Sequence, residues 1–145
     1  MSELPQELEA LKKFHGHLGP YVVIGYRMGK IAKTKYTKRF HCVSKTGSNP
    51  PISCIVDGIQ MSSGCTMGKG NISIREENIA GAHFYSEEGV FDIQVNDRVR
   101  RSIDSEMNKQ NEEALALRFY VMPEAELFAF NFIGQAESQR VLKLK

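Results

Sequence analysis

Two histidines and two cysteines gather in three glycine-containing segments of this 145-residue chain: Phe14-His15-Gly16-His17-Leu18-Gly19-Pro20, then Cys54-Ile55-Val56-Asp57-Gly58-Ile59-Gln60, then Gly64-Cys65-Thr66-Met67-Gly68-Lys69-Gly70-Asn71. Imidazole nitrogen and thiolate sulfur are the donors a divalent transition ion such as Zn²⁺ takes, and a thiol beside a cation or a helix start is also a potential nucleophile. The candidate ligands are therefore His15, His17, Cys54 and Cys65, with His17 and Cys65 foremost. For catalysis the candidates are Cys65, Asp57 and Lys69: a reactive thiol, a carboxylate that orients a ligand, and a cation to receive an anionic substrate.

Spacing carries part of this. His15 and His17 share a side only on extended backbone, which the approach to Pro20 favours. Cys54 and Asp57 are three apart and fall on one face of a helix, Cys54 near its positive N-terminal end. The run from Gly64 to Gly70 has the look of a phosphate loop, but three residues rather than four separate its glycines and Gly70 follows Lys69 where Ser or Thr should stand. Nucleotide hydrolysis is excluded on that ground. A backbone cradle for an anion stays open beside the stronger reading, a tight turn joining helix to strand. Cys42, inside an apolar strand, reads as a small hydrophobe.

The elements that must position these groups are legible in outline. Leu4, Leu8 and Leu11 predict a helix ending near Phe14, with Pro5 in its first turn, and Pro20 opens a second helix in which Gly25 and Gly29 permit close approach of another element. Arg39 to Lys45 reads as a strand, Pro51 to Met61 as a third helix, and Asn71 to Glu76 as a half-buried strand. Ala82, Phe84, Phe91, Ile93 and Val95 keep a period of two around a Glu88-Gly89 turn. A narrow stripe of Val99, Ile103 and Met107 predicts an exposed helix, and Asn111 caps another that buries Ala114, Leu117 and Val121 until Pro123 stops it. Phe128, Phe130 and Phe132 line one side of a last strand.

These elements predict one α+β domain over residues 1–145, an antiparallel sheet with packed helices, large enough to bury roughly two-thirds of its unfolded surface. A net charge of +2 gives little drive toward nucleic acid, and no apolar run is long enough to cross a bilayer. Three cysteines without a leader pattern suit a reducing, cytoplasmic setting. The aromatic side of the last strand and the Gly25–Gly29 face predict a homodimer.

Taken together, Phe14-His15-Gly16-His17, Pro20, Gly25-Tyr26-Arg27-Met28, Cys54, Asp57, Gln60, Gly64-Cys65-Thr66 and Gly68-Lys69-Gly70-Asn71 resemble the FmdE family of formylmethanofuran dehydrogenase proteins. The match is dense in the first half of the chain and in outline only in the second. Two departures stand out: Gly19 occupies a place where many relatives carry cysteine, and the cysteine-rich zinc finger of longer relatives has no C-x-x-C counterpart here. The resemblance implies a domain of the molybdenum or tungsten dehydrogenase system of one-carbon metabolism, with the dehydrogenase subunits as partners. Three cysteines are too few for a four-cysteine iron–sulfur cluster within one chain, so the redox step lies elsewhere. Three roles follow: a metal- or thiol-dependent enzyme; a non-catalytic accessory that binds and delivers metal, cofactor or substrate; or a protein whose His and Cys are structural.

Overall fold

Proline and glycine punctuate the helices. Pro5 precedes α1 (Gln6–His15), and Gly16, at φ +106°, closes that helix by donating its N–H to Lys12 O. Pro20 is the first residue of α2 (Pro20–Lys33). The third helix, α3 (Cys54–Ser63), starts three residues after Pro51 and ends at Gly64, at φ +82°. Later come α4 (Asp97–Glu106), α5 (Glu112–Val121) and one turn, α6 (Glu124–Leu127). The computed structural model describes residues 4–134.

Five strands form one sheet in the order β2-β1-β3-β4-β5: β1 His41–Ser44, β2 Ile72–Ile74, β3 Gly81–Ser86, β4 Gly89–Val95 and β5 Phe128–Gly134. All pairs are antiparallel except β1 with β2, where α3 crosses between the two strands and returns the chain in the same direction. The period-two pattern does what it must. Ala82, Phe84, Phe91, Ile93 and Val95 are buried, while His83, Tyr85, Asp92 and Gln94 point to the other face. The fold is thus α+β, with helices packed on one side of a mostly antiparallel sheet.

Gly25 and Gly29 are used inside the chain. A Cβ on Gly25 would lie 2.1 Å from Ile55 O, one on Gly58 would lie 2.1 Å from Val22 O, and one on Gly29 would lie 2.0 Å from Ser62 Oγ. Helices α2 and α3 therefore meet backbone to backbone, and the small-residue face is not available to a second copy. Part of the aromatic side is taken up as well: Phe128 is buried, the Phe130 ring lies 5.9 Å from Phe91, and Phe132 meets Tyr36 edge-on at 5.8 Å.

The buried stripe of α5 differs from expectation. Leu115, Ala116 and Phe119 face inward and Val121 is exposed, because turning Phe119 and Leu115 into the core removes more apolar surface than Ala114 and Val121 could offer. On α4, Val99 and Ile103 are buried and Met107 packs at the core edge just past the helix.

Candidate metal site

A second, smaller core holds the histidines. Leu8 and Leu11 of α1, Val22 and Val23 of α2, and Ala116 of α5 enclose Leu18, which is 1% exposed although it lies between the helices. His15 is the last residue of α1 and His17 lies in the link to α2, so the pair is not on extended backbone as expected: the helix end and the left-handed turn at Gly16 bring the two rings to 4.6 Å at 48°. Cys54, on the first turn of α3, packs against both the small core and the main one. One donor atom each from His15, His17 and Cys54 lies within 4.8 Å of the others. That is ligand spacing for one ion.

The decisive detail is the state of His15. Its Nδ1 sits 2.6 Å from Asp57 Oδ2, and an ionised carboxylate only accepts, so Nδ1 is the donor in that contact and Nε2 is the nitrogen turned away from Asp57, the lone-pair nitrogen of the neutral ring. Nε2 is buried and has no hydrogen-bond partner among the described residues. A buried, unpartnered imidazole nitrogen with a carboxylate behind the ring is what a metal-ligating histidine presents. The donor set fits a transition ion such as zinc.

Cys54 answers to the same cluster. Burial first, then the Asp57 and Glu112 carboxylates, push its thiol up to about 11, against the thiolate that a place at a helix start would favour. Without a cation it keeps its proton at neutral pH, so it is no ready nucleophile.

Glu112, the first residue of α5, is not marked by any sequence motif. Its Oε1 stands 3.4 Å from His17 Nδ1, and it lines a cavity of about 40 Å³ together with His17, Gly19, Pro51, Cys54 and Met107. Gly19 is itself part of the site. A Cβ there would stand 3.7 Å from His17 Cε1 and 3.9 Å from Glu112 Oε2, ordinary contacts, so the departure at this position changes the donors the cavity can present. Nothing local ties Glu112 to His17; only the packing of α5 brings them together.

Cys65, expected both as a ligand and as the reactive thiol, is not part of this cluster. It is 1% exposed, its Sγ donates to Phe40 O at 3.4 Å, and burial pushes its thiol up despite Ser63, Lys69 and Arg39 nearby. The loop around it is closed on itself. Cys65 N–H donates to Ser63 Oγ, Thr66 N–H to Asn71 Oδ1, Met67 N–H to Gln60 Oε1, Lys69 N–H to Thr66 Oγ1 and Gly70 N–H to Met67 O. Those N–H groups are engaged within the turn rather than aimed at a common point, and Lys69 belongs to this turn rather than to the histidine cluster. The loop still reaches the site, because Gln60 passes a second hydrogen bond, at 3.3 Å, to Asp57 Oδ1. Asp57 is held from both sides.

Fold and site together define a small two-layer α+β domain with a His₂Cys donor cluster where α1, α2 and α3 meet. The chain belongs to the family described as FmdE, molybdenum formylmethanofuran dehydrogenase operon, whose model matches residues 14–131. It is similar to a probable S-adenosyl-L-methionine-binding protein of Archaeoglobus fulgidus, 33% identical over 76 residues. That match covers 49% of this chain and 21% of the relative, so the chain spans about a fifth of that protein's length. In fold it is similar to the crystal structure of a tungsten formylmethanofuran dehydrogenase FmdE-like protein from Syntrophus aciditrophicus, with a TM-score of 0.64 at 13% identity over 88% of this chain and 70% of that one. Among the described residues no helix is long and apolar enough to cross a membrane.

Proposed function

We propose that this chain is a metal-dependent protein of the formylmethanofuran dehydrogenase system of one-carbon metabolism, in which His15, His17 and Cys54 hold a divalent transition ion, zinc above all. The observation that carries this reading is the buried, unpartnered Nε2 of His15 behind its Asp57 hydrogen bond. Nitrogen and sulfur donors in this ratio suit Zn²⁺ better than the hard cations, which prefer oxygen. When bound, such an ion supplies Lewis acidity.

The chain's own groups divide the remaining work. Asp57 keeps the His15 proton on Nδ1, Gln60 fixes Asp57, and Cys54 releases its proton on binding. Three protein donors beside a small cavity match the pattern of sites that leave one position for an exogenous group, which favours an enzyme over a purely structural site.

One observation favours the rival reading, a protein that delivers metal or cofactor to the dehydrogenase subunits: the His17 side chain is 49% exposed, open enough for hand-over. On either reading the dehydrogenase subunits are the partners. A homodimer would have to use the exposed parts of Phe130 and Phe132.

Elemental analysis of untagged protein purified without added metal tests the proposal. About one equivalent of a transition metal per chain supports it; no metal, with no uptake on titration under reducing conditions, removes it. Rapid release to the dehydrogenase subunits, against retention through repeated assays, separates delivery from catalysis.

A further inference from the structure

Among the described residues, the cavity beside the cluster is lined by one carboxylate, Glu112, and by no lysine or arginine. The position of Glu112 is built. The link from α4 to α5 is tied by Asn111, whose side-chain amide donates to Glu106 O at 2.7 Å and whose Oδ1 accepts the Asn108 N–H at 2.8 Å, while Leu115, Ala116 and Phe119 fix the helix that follows. The neighbouring Glu113 turns outward to pair with Lys12 at 2.7 Å, whereas Glu112 Oε1 stands 3.4 Å from His17 Nδ1. Each histidine of the cluster thus has a carboxylate on its Nδ1 side, Asp57 hydrogen-bonded to His15 at 2.6 Å and Glu112 at ion-pair distance, 3.4 Å, from His17.

Charge follows from the same census. With an ion bound, the Cys54 sulfur, Asp57 and Glu112 set three negative charges around two positive ones, and the cavity walls are otherwise His17, Gly19, Tyr21, prolines, Val22 and Met107. An anion entering there meets an excess of negative charge at short range, with no lysine or arginine among the lining residues to offset it. A space of about 40 Å³ also limits the entrant to a few heavy atoms.

We infer that Glu112 is the second orienting carboxylate of the site, placed on the Nδ1 side of His17 to turn its ring toward the cluster, and that the face it lines takes a small uncharged donor in preference to an anion. This rests on the metal reading above.

Cobalt(II) alone is the probe, because its visible spectrum reports both affinity and coordination. Wild type, Glu112→Gln, Glu112→Asp and Glu113→Gln are titrated with Co²⁺ and the loaded proteins with azide. Expected are a tenfold or greater loss of Co²⁺ affinity in Glu112→Gln, recovery to within about threefold in Glu112→Asp, no change in Glu113→Gln, and an azide response in Glu112→Gln at tenfold lower concentration or less than in wild type. Wild type and Glu112→Gln that bind Co²⁺ equally, or that respond alike to azide, overturn the inference and leave the metal reading standing. A wild type that takes up no Co²⁺ overturns both.

Discussion

Cys54 and Cys65 bracket the same helix, each beside glycine or a glycine-rich turn and each within reach of charged side chains, yet their surroundings differ in kind. At the N-terminal end of α3 the polar groups are left incomplete: a buried His15 nitrogen without a partner, a half-buried thiol among carboxylates, and a cavity. At the C-terminal end the turn from Gly64 to Asn71 answers its own demands, donor by donor, and closes over Cys65. Buried polar groups cost free energy unless they are paired, so the satisfied turn reads as finished structure and the unsatisfied end as the candidate site. What separates ligand from scaffold here is the hydrogen-bond balance, not residue type.

The sharpest attack on that contrast removes a donor. His15→Ala or Cys54→Ser should abolish stoichiometric metal binding, read by elemental analysis, while Cys65→Ser keeps it; the reverse pattern would exchange the two ends of α3. Next comes thiol chemistry. A folded-state value of about 11 for Cys54 against 9.0 for an ordinary thiol leaves roughly a hundredfold less thiolate at neutral pH, so metal-free protein should alkylate about a hundredfold more slowly at that site than a free thiol. The rate should then climb tenfold per pH unit until about pH 11, and iodoacetamide labelling with peptide mapping reads it. An alkylation rate already flat at about pH 8 would contradict the geometry.

Asp57→Asn should lower metal affinity by about ten- to a hundredfold without changing the number of ions bound, as loss of an orienting carboxylate does. Competition with a chromogenic chelator measures it. The smallest effect belongs to the closed turn. Cys65→Ala should cost on the order of 1–2 kcal/mol in denaturant unfolding, the loss of one small buried group and its weak hydrogen bond, and leave metal affinity unchanged.

How much of this the sequence disclosed depends on distance along the chain. Cys54 and Asp57 share a helix, so their common face follows from spacing; His15 and His17 meet across the end of α1, where the left-handed turn at Gly16, not extended backbone, brings the rings together. The strands β3 and β4 announce themselves by alternation. Cys65 misleads because its fate depends on where the turn folds back, and Asn71 and Phe40, which cover it, act through a sheet that no local pattern specifies. Glu112 is invisible for the same reason. The glycines of α2 foretell a close neighbour correctly, but a small-residue stripe does not say whether that neighbour is another helix of the chain or another molecule. On α5 the apolar pattern allows more than one inward face, and side-chain bulk decides between them.

Gly25 and Gly58 have a consequence for how freely the donor cluster can adjust. Where two helices touch through side chains, rotamers can shift to let them slide; where they touch through peptide groups, there is nothing to repack. The end of α3 that carries Cys54 and Asp57 is therefore clamped against the helix that continues from His15 and His17, like the jaws of a fixed gauge. An ion held on the proposed reading would meet a Cys54 that cannot slide along α2, so adjustment to its radius would fall to the histidine side of the site.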